Sequence, residues 1–593
     1  MPTIAAQLQA VLTRALGSLP EPTPAGIEAT VTPAADMRFG DYQTNAAMVL
    51  AKLRRTNPRA LAAEIVGALN ADPELAEVSL PPEIAGAGFI NFRLTPGYLG
   101  ERLAALALDE DRLGVPLPGT SRKVVIDLSG PNIAKPMHVG HLRSTIIGDC
   151  LARVARFTGY DVITDNHLGD WGTQFGKVIY GYKRYRDESA LSIDPLAELV
   201  RVYQKADLDC QREAADAAGE TAPLHPIEEC RNELVKLQAG DPENLGIWQR
   251  CVDLSRAELD RIYAKLDVRF DHQFGESYFN GKLAPLVERL EREGIAQPSE
   301  GALVAFFPGD PRLAERPAII RKRDGAFNYA TTDIATYEQR VNEFHANTLW
   351  YVVGAPQALH FEQLNAIARR MGYAVPLTHI PFGSILGEDR KIMRTRSGEN
   401  VALRDLLEEA VERARTVVEE KNPALSEDEK AAIARVIGLG AVKYAELSQH
   451  RLTDYIFSWD RMLSFQGNTA PYLQNAYVRI RSIFRRGELD PEMRFPRLGR
   501  ELVPTEPSER VLSLKLAQFA EIVPAVLDDF RPNLLANYLY ELAGDFHAFF
   551  EACPVLKAAE GGQREMRLAL CSATARVLRR GLGLLGIEVP ERM

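Results

Sequence analysis

Hydrophobic positions along this chain follow three successive patterns. Up to about residue 115, helical and strand-like spacings mix as in an α+β domain. The stretch Gly114-Val115-Pro116-Leu117-Pro118-Gly119-Thr120 then has the composition of a linker. From about 122 to 436, short apolar runs alternate with helical stretches, the pattern of a parallel α/β sheet. The runs include Lys123-Val124-Val125-Ile126-Asp127-Leu128, Val162-Ile163-Thr164-Asp165, Ala318-Ile319-Ile320 and Leu349-Trp350-Tyr351-Val352-Val353. Between about 190 and 260 the alternation stops, and a charged, mostly helical stretch reads as an insertion. From about 438 to 593 the pattern is helical throughout, and amphipathic runs over 511–530 and 564–585 predict an all-α bundle. The expected fold class is α/β: a parallel-sheet core, an α+β domain before it and a helical domain after it. A chain of 593 residues is too long for one core and fits this division.

Composition excludes more than it selects. Apolar content of 46% and charged content of 25% are ordinary for a globular protein, and no apolar run nears the roughly 20 residues that span a bilayer. The first residues, Met1-Pro2-Thr3-Ile4-Ala5-Ala6-Gln7, lack the basic and apolar regions of a secretory signal. Six scattered cysteines form no Cys-x-x-Cys pair, which argues against structural zinc and a disulfide framework and fits a reducing cytoplasm. The net charge of −10 offers no global attraction for nucleic acid, so any such contact must use locally basic surfaces.

One string carries specific chemistry. Pro131-Asn132-Ile133-Ala134-Lys135-Pro136-Met137-His138-Val139-Gly140-His141 follows the first strand-like run and leads into a helix marked by Leu142, Leu151, Val154 and Phe157. Exposed N–H groups and the helix dipole at such a junction favour phosphate. His138 and His141 are three apart, a one-face spacing on a helix, and Gly140 has no side chain to keep a nucleotide away. A lone His-x-Gly-His is weak, but the eleven-residue string resembles the ATP-binding motif of class I aminoacyl-tRNA synthetases, in the form found in arginyl-tRNA synthetases.

That resemblance implies a Rossmann-like catalytic core, an N-terminal domain over 1–115 that reads the tRNA D-loop, and an anticodon-binding bundle over 438–593. It implies an arginine–tRNA ligase that makes arginyl-adenylate from L-arginine and ATP with Mg²⁺, then charges tRNA(Arg). Activation that needs tRNA, a monomer, a cytoplasmic site and no zinc are further implications. His138, His141 and Lys135 fall at catalytic positions, and Gly140 and His360 at ATP-binding ones. Asp127, Asn132, Tyr329, Asp333 and Gln357 fall where the family binds arginine, whose guanidinium is best matched by carboxylates with amide or phenol acceptors around them. On residue type alone, Asp127 and Asp333 read more simply as solvated or capping carboxylates, and His360 equally well as a packed histidine.

The mobile lysine-rich loop of class I enzymes has a counterpart over 385–400, where Ile392 replaces its first lysine. Lys391, Arg394 or Arg396, or Lys135 from the first motif, could supply the missing charge; taken alone, these residues read as a basic surface loop. A second family-like string, Asn166-His167-Leu168-Gly169-Asp170-Trp171-Gly172-Thr173-Gln174-Phe175-Gly176, suits either a structural turn or a pocket rim. For RNA, the resemblance points to Phe89 and Asn91 within Gly86-Ala87-Gly88-Phe89-Ile90-Asn91-Phe92 as elbow contacts, and to Tyr472, Arg479 and Met593 as anticodon contacts. Rival readings are another class I synthetase, a tRNA-binding paralogue that no longer activates an amino acid, and a small nucleotidyltransferase.

Overall fold

The computed structural model describes the chain except residues 1, 22, 24–28, 35, 217–224, 392, 394–400, 491, 493–502 and 559–561. It divides into two compact units: residues 119–463 form one, and 1–118 together with 464–593 form the other.

The 119–463 unit is built on a four-stranded sheet in the order Leu377–Ile380, Thr348–Val352, Lys123–Asp127, Asp161–Asp165, with every neighbouring pair parallel. Lys123–Asp127 and Thr348–Val352 are buried at every position but the first, because helices cover both faces of a parallel sheet. Val124, Val125, Ile126, Leu349, Trp350 and Val352 are the branched and aromatic residues such strands need. The register aligns Tyr351 with Asp127 and Asp127 with Asp165, so three polar side chains share one row at the carboxyl ends of adjacent strands. The helix Val139–Phe157 lies close to this end: a Cβ on Gly148 would come within 2.4 Å of the Leu128 Cβ.

Two expectations change here. Ala318–Arg321 is a strand but belongs to a separate antiparallel sheet with Gln297–Ser299 and Ala302–Ala305. Its buried Ala318 and Ile320 alternate with exposed Ile319, the one-faced pattern of antiparallel sheets. Beyond residue 438 the chain is not helical throughout: Tyr455–Ile456 pairs in parallel with Ile385–Leu386. Two residues are too short a run for periodicity to register. The described part of 188–265 is four helices: Glu188–Ile193, Pro195–Asp216, Pro226–Gln238 and Pro242–Lys265.

In the other unit, an antiparallel sheet runs Val31–Pro33, Tyr42–Thr44, Phe89–Phe92, Glu83–Ala85. The helices Ile4–Gly17, Ala46–Arg54, Pro58–Asn70, Pro73–Val78 and Pro96–Leu108 belong to it from the first segment, and Ala470–Arg486, Pro507–Ala517, Phe519–Asp528, Pro532–Ala552 and Gly562–Leu584 from the last. The amphipathic run 511–530 is therefore two helices meeting at Gln518, with Pro524 inside the second. Both chain halves share one core, in which Leu514 and Ala517 pack among Tyr42, Leu50 and Leu99. Buried Asp41 accepts from the Leu94 N–H at 2.7 Å and from the Arg510 guanidinium at 2.5 Å. Glu521 accepts from the Ala5 N–H at 2.8 Å and the Tyr42 hydroxyl at 3.1 Å.

Candidate active site

The link from the first strand to its helix is strained and tightly held. Ser129, Gly130 and Ala134 all have positive φ, and for Ser129 and Ala134 this costs on the order of 1–3 kcal/mol each. Hydrogen bonds fix the turn: Ser129 N–H to Ser144 Oγ at 2.8 Å, Gly130 N–H to Asn166 Oδ1 at 3.1 Å and Ala134 N–H to Ser255 Oγ at 3.0 Å. Ile133, Ala134 and Met137 are buried, whereas Asn132 and Lys135 face outward. The Lys135 ammonium lies 5.4 Å from the ring of Tyr203, on the Pro195–Asp216 helix.

His138 and His141 meet, but not by sharing a helix face. His138 is extended (φ −117°, ψ 169°) and caps the helix, while His141 occupies its first turn. His138 Nδ1 accepts from the Gly140 N–H at 3.0 Å, and His141 Nδ1 accepts from the His138 N–H at 3.2 Å. The ring centres are 4.0 Å apart. Burial pushes His141 down to about 3, and burial followed by the Lys135 charge lowers His138. Both imidazoles are thus neutral at pH 7, and with Nδ1 accepting, each carries its proton on Nε2. Gly140 is required for a reason nearer than the nucleotide: a Cβ there would stand 2.8 Å from His138 Cε1.

The segment that follows the basic loop pairs with this motif. Val139 N–H donates to Val401 C=O at 3.1 Å, and Leu403 N–H donates to Met137 C=O at 2.8 Å. On the other side, Gly387 N–H donates to Lys391 C=O at 2.8 Å in a turn just after Ile385–Leu386. Lys391 is exposed; Arg394 and Arg396 lie outside the described residues.

A second cluster gathers on the helix Tyr329–Asn342. Asp333 Oδ2 is 2.5 Å from His360 Nε2, and the half-exposed Tyr329 ring stands edge-on to His360 with centres 4.8 Å apart. Glu276 feels the charges of Asp333, Asp170 and His167; burial pushes its carboxyl above the ordinary range, and Asp170 and Asp333 push the same way. The string from Asn166 to Gly176 builds this wall: Leu168 C=O accepts from the Glu276 N–H at 3.0 Å, and Asp170 accepts from the Ser277 N–H at 2.8 Å. Trp171 packs edge-on to Trp248 at 5.4 Å. Gln357 is exposed and closes a short 3-10 turn beyond the strand Thr348–Val352.

Asp127 does not stand free for a substrate. One carboxylate oxygen is 2.6 Å from the Arg340 guanidinium, which also binds Asp165 at 2.6 Å. Burial raises the Asp127 carboxyl, and the Arg340 charge opposes this. Sequence reasoning assigns no role to Glu276, Asp165 or Arg340, none of which lies in a family-like string; Asp165 reads only as the end of a strand.

In the other unit, Phe89 is half-buried, whereas Asn91 is 5% exposed with its Oδ1 buried and unpartnered, so its side chain points inward. Tyr472 and Arg479 lie seven apart on the helix Ala470–Arg486, two turns along one face. Tyr472 meets Tyr540 and His547 with ring centres at 5.5 and 5.4 Å, and Arg479 lies 5.8 Å above Phe550. Half-buried Met593 follows a tail held by Glu591, which accepts from Tyr477 at 3.1 Å and Arg481 at 2.9 Å. Among the described residues, no three His, Cys, Asp or Glu side chains meet as metal ligands, and no helix is long and apolar enough to cross a membrane.

Three family models match in chain order. Residues 3–94 match the arginyl tRNA synthetase N terminal domain, 104–459 the class I (R) tRNA synthetase catalytic domain, and 473–593 the DALR anticodon binding domain. An arginine–tRNA ligase of Cellvibrio japonicus is 45% identical over 581 residues, 96% of each chain. One from Synechocystis is 45% identical over 575 residues, 95% of each. The arginyl-tRNA synthetase of Thermus thermophilus superposes with a TM-score of 0.80 at 28% identity, covering 99% of this chain and 100% of that one. That of Plasmodium falciparum gives 0.81 at 27% identity, covering both chains fully. With a catalytic-domain model spanning more than half its length and relatives this similar over nearly all of it, this chain belongs to the arginyl-tRNA synthetase family of class I tRNA synthetases.

Proposed function

We propose that this chain, as an arginine–tRNA ligase, activates L-arginine at the carboxyl end of its parallel sheet and then charges tRNA(Arg). ATP enters as its magnesium complex and sits against the start of the Val139–Phe157 helix. A carboxylate oxygen of arginine attacks the α-phosphorus, and pyrophosphate leaves. His138 and His141 donate from Nε2 to the phosphate oxygens as charge builds on them, and Lys391, Arg394 or Arg396 from the loop, or Lys135 from the first motif, stabilises the departing pyrophosphate. The chemistry needs no protein nucleophile: positioning and fixed hydrogen-bond donors lower the barrier. A terminal ribose hydroxyl of tRNA then attacks the adenylate carbonyl and releases AMP.

Asp333 and Glu276 receive the substrate guanidinium, with Tyr329 and Gln357 at the rim and Asn132 toward the backbone end of the amino acid. His360 orients Asp333. Phe89 stacks on the tRNA elbow beside Asn91; Tyr472 and Arg479, with Tyr540, His547 and Phe550 around them, take anticodon bases together with Met593. The chain acts as a monomer in the cytoplasm, with residues 1–115 serving the elbow and 119–463 catalysis. The anticodon domain begins near 464 rather than at 438, because the helix Glu427–Leu447 and the strand Tyr455–Ile456 belong to the catalytic unit.

One observation supports the chemistry best: the reciprocal cap uses both Nδ1 atoms on the backbone and leaves two neutral Nε2–H donors side by side. The test is arginine-dependent ATP–pyrophosphate exchange, with and without tRNA(Arg), and with lysine as control. Exchange with arginine alone among amino acids, and only in the presence of tRNA, is expected. No exchange from folded chain that binds tRNA would sink the activation reading.

A further inference from the structure

Arg340 is a buried arginine on the same helix as Asp333, the residue that we read as receiving the substrate arginine. Its side chain is 1% exposed. The guanidinium lies 2.6 Å from Asp127 and 2.6 Å from Asp165, with Nε 3.2 Å from the latter, and 5.0 Å from the centre of the Tyr351 ring. Those three partners form the single row that the sheet register sets across adjacent strands. One side chain therefore bridges the carboxyl ends of three adjacent strands. It hangs from the helix that carries Tyr329 and Asp333, at i, i+4 and i+11, positions that fall on one helical face. Two atoms of the cluster, Asp165 Oδ1 and the Tyr351 hydroxyl, are buried without a partner.

A planar guanidinium can satisfy two carboxylates and an aromatic face at once, which an ammonium cannot. Without it, two carboxylates would stand uncompensated at the depth of the sheet and draw in another cation. We propose that Arg340 is a specificity-determining positioning residue: it occupies Asp127 and Asp165 so that the substrate guanidinium is directed to Asp333 and Glu276. This rests on the reading that Asp333 and Glu276 hold the substrate.

The experiment is arginine-dependent ATP–pyrophosphate exchange in the full chain with tRNA, for Arg340→Lys, Arg340→Met and Asp333→Asn. Arg340→Lys is expected to raise the KM for arginine about ten-fold or more while the KM for ATP stays within about two-fold, because two buried carboxylates lose their matched partner. In Arg340→Met, low-millimolar guanidinium chloride is expected to restore exchange, with equal sodium chloride inert. An unchanged arginine KM in Arg340→Lys overturns the proposal, as does folded Arg340→Met that guanidinium does not restore; should the methionine variant not fold by circular dichroism, the lysine variant decides. If Asp333→Asn leaves the arginine KM unmoved, the pocket reading itself fails; if Asp333→Asn raises it and Arg340→Lys does not, only the role of Arg340 fails.

Discussion

His138 caps its helix through Nδ1 and, in the proposed mechanism, donates from Nε2, and substitution can separate the two. Asparagine at this position keeps an acceptor for the helix cap but removes the outward donor, whereas alanine removes both. His138→Asn should fall about 100- to 1,000-fold in exchange rate with its folding intact, as for loss of one donor to a developing charge. His141→Ala should fall similarly, and tRNA affinity should hold in both; near-normal exchange in either would refute the phosphate role. The lowered His141 value carries a sign for stability. The unfolded ring binds its proton near 6.5 and the folded ring only near 3, so this contribution is complete above about pH 6.5 and is lost as pH falls. Histidine-selective NMR should find His141 still neutral at pH 5. Glu276 carries the opposite shift. Because it takes a proton above the ordinary carboxylate range, the KM for arginine should rise as pH falls through that raised value. Glu276→Gln should give a high KM that no longer follows pH on the acid side; a variant that keeps the acid limb would clear Glu276. Of the residues that the proposed site uses, the two histidines, Tyr329 and Asp333 are legible in the chain because each sits in a short local string. Glu276 and Arg340 are not, since only folding brings their segments beside residues 127, 165 and 333.

The start of the Val139–Phe157 helix is where strand, helix and loop are fastened together. Backbone bonds at 3.1 and 2.8 Å tie Val139 and Met137 to Val401 and Leu403, so the segment after the basic loop is anchored on the His138–His141 turn itself. Behind it, Gly148 allows the helix to lie against Leu128 at a distance no side chain permits. Gly148→Ala should therefore cost about 1–3 kcal/mol by overpacking. It should also raise the KM for ATP, since the helix start must move off the strand end. An unchanged melting temperature and KM would mean that the contact relaxes freely. The alternation of apolar runs was enough to find the strands ending at Asp127, Asp165 and Val352, and the helix after His141. It could not tell Ala318–Arg321 from a strand of the main sheet, because run length and branching say nothing about pairing partners. Nor could spacing reveal that His138 stands outside the helix, which depends on one extended residue.

At the scale of the whole chain, three patterned stretches become two units, because the first and last are sewn together around Asp41, Tyr42, Arg510 and Glu521. Hydrophobic patterning marks which faces are apolar but not which of them meet, so this pairing was illegible. Arg510→Met should cost about 3 kcal/mol in unfolding of that unit, since Asp41 would be buried with the Leu94 N–H but no cationic partner. A change under about 0.5 kcal/mol in denaturant unfolding would mean that Asp41 finds other compensation. The same arrangement sets a schedule for biosynthesis. Residues 1–118 leave the ribosome first, yet Leu514, Ala517 and Glu521, which cover Tyr42 and its neighbours, follow only after the whole of 119–463 has been made. At roughly 5–20 residues per second, that apolar face waits on the order of a minute for its cover, the interval in which a nascent chain depends on chaperones.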